Sequence, residues 1–552
     1  MNGRILVLAA CFAGVFGAIG LRLVDLGLPG DLAPGGRYVA AGPQAERADL
    51  LDRQGRILAT TVVAPQLVAD PRHVRDVAAE ARAIAAALEG ADEARIARLL
   101  GSDRHHVVLA REIGPREMEA VRRLGLPAVS FEHRHVRLYP NGRLAAHALG
   151  YVDVDNRGLS GAERAFDDRL TGPARTPVRL ALDVAVQHAI EAELQAAIDR
   201  HRAKAGAALV MDARTGELVA SASRPSFDPH HPTAAPEDAR KDLNVTQTFE
   251  LGSVFKVLTV ALGLETGAIG VDDRLDARGS LRIGRSTIGD YRPRNRVLTV
   301  PESLIYSSNI ANARIGMRVG GERYARFVEA MGLTTALTFE GGATARPQVP
   351  PRWSDIATAT VAFGHGLAIT PLHYTSAVAG MLTDGRRVQP TLLAQDRRVP
   401  RAGQPVLSPR VVEAMRGLTW RTLHDGRSQG LVDGYLVGGK TGTARKVANG
   451  RYQTGVVRSS FVAAFPMDEP RYVVFAMLDE PQALQGHPRD RITAGWVTAP
   501  AVSRMVARIG PVLGVEPSTP EALAKLGRWS GKDPVVRVDA GGGADAARQP
   551  RG

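Results

Sequence analysis

Ser253 and Lys256 lie three residues apart in Glu250-Leu-Gly-Ser-Val-Phe-Lys256. If a helix starts near Ser253, the two side chains share one face, a turn apart. A serine hydroxyl is a weak nucleophile until a neighbouring base takes its proton, and a neutral lysine amine is such a base. Holding Lys256 neutral against a reference pKa near 10.4 costs about 4 to 5 kcal/mol at pH 7. Burial and a nearby second cation both push in that direction, and Lys440 is the candidate cation. On its own the pair reads equally well as a solvated helix lysine beside a common serine.

Two further elements follow in order. Ser307-Ser308-Asn309 reads as Ser-x-Asn, and Lys440-Thr441-Gly442-Thr443 follows Gly438-Gly439. Standing alone, Ser307 and Asn309 read as helix N-cap residues, and the glycines as a bulge or turn. Together, Ser-x-x-Lys, Ser-x-Asn and Lys-Thr-Gly form a signature, and the chain resembles the penicillin-binding protein and serine β-lactamase superfamily. Arg47-Ala-Asp-Leu-Leu-Asp-Arg-Gln-Gly-Arg-Ile-Leu-Ala59 is similar to the opening motif of class B penicillin-binding proteins, with Ala48 where glycine is usual. Arg137-Leu-Tyr-Pro140, Ala146 to Val152 and Gly158 to Glu163 resemble that family's pedestal, and Leu182-Asp183 with Gln187 its entry into the catalytic domain. Thr248 to Lys256 and Thr493 to Pro500 are most similar to the division-specific, FtsI-type transpeptidases.

The resemblance implies a chemistry residue by residue. Ser253 would attack the D-Ala-D-Ala carbonyl of a peptidoglycan stem peptide, releasing D-alanine, and a neighbouring stem's amine would take the acyl group. Lys256 would accept the serine proton, and Ser307 would relay it to the leaving amine. Asn309 offers donor and acceptor to the substrate's amide backbone. Lys440 would set a positive potential for the terminal carboxylate, Thr441 and Thr443 would hydrogen-bond it, and Gly442 would let the substrate approach the strand. The backbone N–H groups of Ser253 and Thr443 would form the oxyanion hole. No cofactor or metal is implied. The implied partners are stem peptides, β-lactams, the inner membrane, and an FtsW-like glycosyltransferase with other division proteins. A carboxypeptidase, a β-lactamase or an elongation-type transpeptidase would carry the same motifs. A non-catalytic division scaffold or β-lactam sensor is the alternative outside enzymes, against which the intact motif residues argue.

The elements that must position these residues fit an α+β, multi-domain chain: an N-terminal transmembrane helix, an elongated pedestal, and a transpeptidase domain with an antiparallel sheet between helical parts. The expected divisions are 1–24 for a short cytoplasmic end and anchor, 25–175 for the pedestal, 176–510 for the transpeptidase domain and 511–552 for an extension, disordered after about residue 532. Ile5 to Leu21 is an uninterrupted apolar and small-residue run between Arg4 and Arg22. It reads as an uncleaved anchor with the catalytic domain periplasmic, since no small-residue cleavage site follows it. A lipoprotein signal ending at Cys11 would leave too short an apolar region. Val74 to Leu88, Ala91 to Leu100, Val184 to Arg202 and Ala494 to Ile509 read as helices. Gly206 to Asp212 and Leu218 to Ser223 read as a hairpin, Arg471 to Leu478 as a further strand, and Pro173 to Pro177 as a linker.

Composition adds bounds. The 552 residues are 44% apolar and 23% charged, an ordinary globular balance, and the single cysteine rules out an internal disulfide. The formal charge of +13 would suit an anionic membrane surface or substrate, or reflect an arginine-rich bias. No basic stripe with interleaved aromatics is present, which argues against nucleic acid. His133, His135, His230 and His231 lack partners at metal-ligand spacing, and His365, in Phe363-Gly-His-Gly366, is assigned no role.

Overall fold

The computed structural model describes residues 46–395, 405–448, 451–488 and 491–527. The expected anchor at 1–24 and the tail beyond 532 lie outside them. No helix among the described residues is long and apolar enough to cross a membrane.

The catalytic half is built on a five-stranded antiparallel sheet. Its spatial order is Gly438–Ala448, Arg451–Phe465, Tyr472–Asp479, Ala205–Asp212 and Leu218–Arg224. The hairpin expected from Gly206 to Ser223 is its far edge. Both faces of its middle are covered, so the strand Tyr472–Asp479 reads as a nearly continuous apolar run. In Tyr472–Asp479 the side chains alternate between two cores. Val473, Phe475 and Met477 pack with Leu258 and Tyr374 on one side. Tyr472, Val474 and Leu478 pack on the other with Ile190 of helix Val184–His201 and Met505 of helix Thr498–Val512.

Helices start where aspartates and hydroxyls satisfy free N–H groups. Asp76 caps Val77–Ala87, Asp92 caps Glu93–Leu100 and Asp183 caps Val184–His201. The closing helix runs from Thr498 to Val512 rather than from Ala494. Residues 494–497 form turns ahead of it, and the Ala494 N–H donates to the Thr443 hydroxyl at 3.1 Å.

The N-terminal half carries a second sheet around the long strand Ile57–Ala69. It pairs with Val129–Leu138 on one side, and with Leu50–Leu51 and Val107–Ala110 on the other. The expected linker has no helix or strand from 172 to 177. The chain then lays Val178–Arg179 parallel to Leu50–Leu51. Glu163 is fully buried and shared by two guanidinium groups: Arg47 donates at 2.6 Å and Arg137 at 2.7 Å. Leu50, Leu58, Leu149 and Leu170 belong to the same apolar core as Leu209 and Leu258, so the two halves share one interior.

Candidate active site

Ser253 sits in a single 3-10 turn, Gly252–Phe255, that runs directly into helix Lys256–Glu265. Residues i and i+3 eclipse in a 3-10 turn, which stacks Lys256 under Ser253. The Lys256 Nζ lies 2.9 Å from the Ser253 Oγ. The turn is fixed from two sides. Gly252 has φ +64°, and a Cβ there would meet the Thr443 carbonyl oxygen at 2.8 Å, so only glycine suits the position. Behind it, the buried Tyr374 hydroxyl donates to the Val254 carbonyl at 2.7 Å.

Ser307 and Asn309 arrive on the opposite wall. Ser308 is the cap of helix Asn309–Val319, accepting from the Ala311 N–H at 3.0 Å. The N-cap role open to Ser307 and Asn309 thus falls to the residue between them, and both flanking side chains turn to Lys256. Ser307 adopts φ +53°, a left-handed conformation uncommon outside glycine. Lys256 Nζ approaches the Ser307 carbonyl at 2.5 Å, the Asn309 Oδ1 at 2.8 Å and the Ser307 Oγ at 3.1 Å. The Asn309 Nδ2 donates to the Gly289 carbonyl at 3.0 Å, which fixes the amide so that its oxygen faces the lysine.

Lys440 closes the site from the edge strand Gly438–Ala448. Its Nζ lies 3.1 Å from the Ser307 Oγ and 2.9 Å from the Thr441 carbonyl. The Ser307 hydroxyl therefore bridges the two lysines. Gly442 is where the edge strand meets the nucleophile turn: a Cβ there would lie 2.5 Å from the Leu251 carbonyl oxygen. The Ser460 hydroxyl, on the neighbouring strand, donates to that same Leu251 carbonyl at 3.0 Å.

Electrostatics favour a neutral base. Lys256 is 0% exposed and Lys440 1% exposed. Burial, then the charge of Lys440, presses the Lys256 amine well below its ordinary value, and Asp290 opposes this. Burial lowers Lys440 to about 7. A neutral amine has two N–H bonds and one lone pair. The Ser307 carbonyl and Asn309 Oδ1 can only accept, so they take the two N–H bonds, and the lone pair is left for the Ser253 hydroxyl proton.

Three contributors were not read from the sequence. Asp290 accepts from the Asn309 N–H at 2.5 Å, the Ile310 N–H at 3.1 Å and the Ser308 hydroxyl at 2.7 Å, orienting the whole second element. His365 packs against Phe363 and, edge-on, Tyr452. Burial, then Lys256 and Arg445, lowers it to about 4, so its ring is neutral. Glu250 accepts from the Gly366 N–H at 2.7 Å, and its burial raises its pKa. Asp290 stands in no motif. The Glu250 and His365 signals were their places flanking the nucleophile and in a glycine-rich turn. Of the other histidines, His230 accepts from the Tyr139 N–H at 3.1 Å, a structural bond between the two halves of the chain.

Residues 206–496 match the family model of the penicillin binding protein transpeptidase domain, and residues 43–176 that of the penicillin-binding protein dimerisation domain. A probable peptidoglycan D,D-transpeptidase FtsI of Caulobacter vibrioides is 37% identical over 498 residues, covering 88% of this chain and 84% of that protein. A probable peptidoglycan D,D-transpeptidase PenA of Neisseria gonorrhoeae is 29% identical, covering 87% of each. The peptidoglycan D,D-transpeptidase FtsI of Escherichia coli is 28% identical, covering 85% of this chain and 84% of that protein. The fold also matches a crystal structure of a peptidoglycan synthetase from Bifidobacterium adolescentis, with TM-score 0.67 and 22% identity over 86% of this chain and 97% of that one.

Proposed function

Because the chain belongs to the FtsI-type penicillin-binding proteins, the peptidoglycan D,D-transpeptidases of septal wall synthesis, we propose that Ser253 is its nucleophile and Lys256 its general base. The observation that carries this reading is the Lys256 amine: fully buried, with two pure acceptors on its N–H bonds and the Ser253 Oγ at 2.9 Å. Lys256 takes the hydroxyl proton as the Ser253 Oγ adds to the penultimate D-Ala carbonyl of a donor stem peptide. The oxyanion is held by the backbone N–H groups of Ser253 and Thr443. The geometry of the Ser307 hydroxyl, 3.1 Å from both lysines, supports its role in passing the proton to the leaving D-Ala amine. That breaks the C–N bond and leaves an ester on Ser253. The amine of a neighbouring stem then adds to the ester, loses its proton along the same path reversed, and displaces Ser253 to form the cross-link.

The donor's terminal carboxylate lies against Lys440, Thr441 and Thr443, with Gly442 keeping the strand close to the nucleophile turn. The Ala494 N–H occupies a lone pair of Thr443, so its hydroxyl proton remains free for that carboxylate. A β-lactam presents a carbonyl and a carboxylate to the same groups and acylates Ser253. The domain divisions proposed are 25–175 for the pedestal and 176–510 for the catalytic domain. The apolar run from Ile5 to Leu21 supports a single-pass inner-membrane anchor with a periplasmic catalytic domain, beside an FtsW-like glycosyltransferase and other division proteins.

A fluorescent penicillin is expected to label the purified protein covalently, and Ser253→Ala to abolish the label. Persistent labelling of that variant would overturn the nucleophile's assignment. Analysis of products from a stem-peptide donor with an amine acceptor separates transfer from hydrolysis.

A further inference from the structure

A second cavity, of about 240 Å³, opens between the first helix of the catalytic domain and its last. Arg200, His201, His487, Arg491, Trp496 and Arg504 line it. No carboxylate is among the described residues that line it. Glu193 lies beside it and is shared by Arg504 at 2.7 Å and Arg508 at 3.0 Å. Arg200 and Arg491 have no carboxylate within ion-pair distance among the described residues. The Arg491 guanidinium is pre-positioned: it lies 4.4 Å over the Trp496 ring and donates to the His487 Nδ1 at 2.6 Å. His201 is buried, and its Nδ1 lies 3.3 Å from the Gln482 carbonyl, which makes Nδ1 the donating nitrogen.

We propose that this cavity binds a diphosphate or dianionic phosphate ester. Two guanidinium groups with no carboxylate partner among the described residues call for a dianion, and their planar forks match phosphate oxygens. The volume is below the range of drug-sized ligand pockets, which suits a diphosphate group and excludes a stem peptide. The cavity also connects to the catalytic strand. Between Arg491 and Trp496, the Ile492 carbonyl accepts from the Ser459 hydroxyl at 2.6 Å and the Ala494 N–H donates to the Thr443 Oγ1 at 3.1 Å. An anion held by Arg491 therefore steadies the segment that orients Thr443, and its occupancy alters acylation at Ser253.

The test titrates the full-length chain with inorganic pyrophosphate at constant ionic strength, following heat and tryptophan fluorescence, with Trp496→Phe to assign the optical change. Saturable binding is expected, weakened about tenfold or more in the Arg200→Ala/Arg491→Ala double variant. Saturation should change the rate of labelling by fluorescent penicillin in the parent chain and not in the double variant. Circular dichroism checks that the variant is folded. Should it not be, the Arg200→Gln/Arg491→Gln pair, which keeps most of the side-chain bulk, carries the same expectation. Vesicles containing an isoprenyl diphosphate, compared with free pyrophosphate, distinguish a lipid headgroup from a soluble ligand. Three results would overturn the proposal: no saturable pyrophosphate binding beyond that of chloride, undiminished binding by the folded double variant, or equal binding to vesicles bearing only phosphatidylglycerol. The binding arm stands whether or not Ser253 is the nucleophile.

Discussion

At the residue scale the site turns on two buried lysines that must carry different charges. Lys256 has to be neutral to take a proton, and Lys440 has to be cationic to hold a carboxylate. The ordering follows from their surroundings, since Lys256 feels both burial and the charge of Lys440, whereas Lys440 is lowered to about 7 by burial. Acylation therefore rises with pH as Lys256 loses its proton, and falls as pH climbs through about 7 and Lys440 of the free enzyme loses its charge. A bell-shaped pH profile of kcat/KM for a chromogenic β-lactam is expected. Lys440→Arg, charged at every working pH, should lose the alkaline limb even where its overall rate is lower. An unchanged alkaline limb would exclude Lys440 as its source. The motif residues themselves were legible because each motif is local, and short spacing survives whatever fold surrounds it. Asp290 was not, because the chain brings it to Ser308, Asn309 and Ile310 across a separate loop. Nor could spacing alone tell that Ser308, and not Ser307, caps the helix.

At the element scale the decisive contact is between the edge strand and the 3-10 turn. Gly442 has the Leu251 carbonyl, Ser460 Oγ and Val254 Cγ1 all within 2.8 Å of where a Cβ would stand. Gly442→Ala must push the strand off the turn that carries Ser253. Overpacking of this kind costs about 1 to 3 kcal/mol. Expected are a lower Tm in a thermal scan and a loss of penicillin labelling about tenfold or greater, since displacements near an ångström cost that much. Labelling at the parent rate would show that the contact does not set the geometry. The helix Val77–Ala87 was readable from its alanine-rich amphipathic pattern, though not its start at the Asp76 cap, and Tyr472–Asp479 from its apolar run. Ile57–Ala69 and Arg451–Phe465 were not read as long strands. Their exposed stretches break the apolar pattern, and only pairing with a distant partner holds them extended. The start of the closing helix Thr498–Val512 was placed too early: residues 494–497 are turns, and the Ala494 N–H is bonded to Thr443, about fifty residues away in sequence.

At the scale of the whole molecule, the pedestal and the catalytic domain share an interior and a buried ionic cluster. Glu163→Ala leaves Arg47 and Arg137 as buried guanidinium groups without their shared carboxylate. Removing one partner from such a cluster costs about 3 to 5 kcal/mol. A marked fall in Tm is expected, affecting the catalytic core along with the pedestal, because Leu50 and Leu258 lie in one core. Separate transitions, with only one displaced by the substitution, would contradict the shared interior. The opening motif that carried the class B resemblance includes Arg47, so the cluster's first member was visible in the sequence. Its burial between Glu163 and Asp167 was not, since those carboxylates come from more than a hundred residues away.

Arg47 of that cluster stands at the start of the described residues, just before strand Leu50–Leu51, and this gives it a mechanical meaning. Residues 49–51 run parallel to 178–180, with the Val178 and Leu180 N–H groups bonded to the Asp49 and Leu51 carbonyls. Tension applied at residue 46 along that strand loads these bonds in shear, all at once, instead of peeling them singly. Arg47, clamped to Glu163 and Asp167, takes the first share of the load. The fold is thus anchored against traction where its chain enters, and a pull there is borne by the same body that holds Ser253.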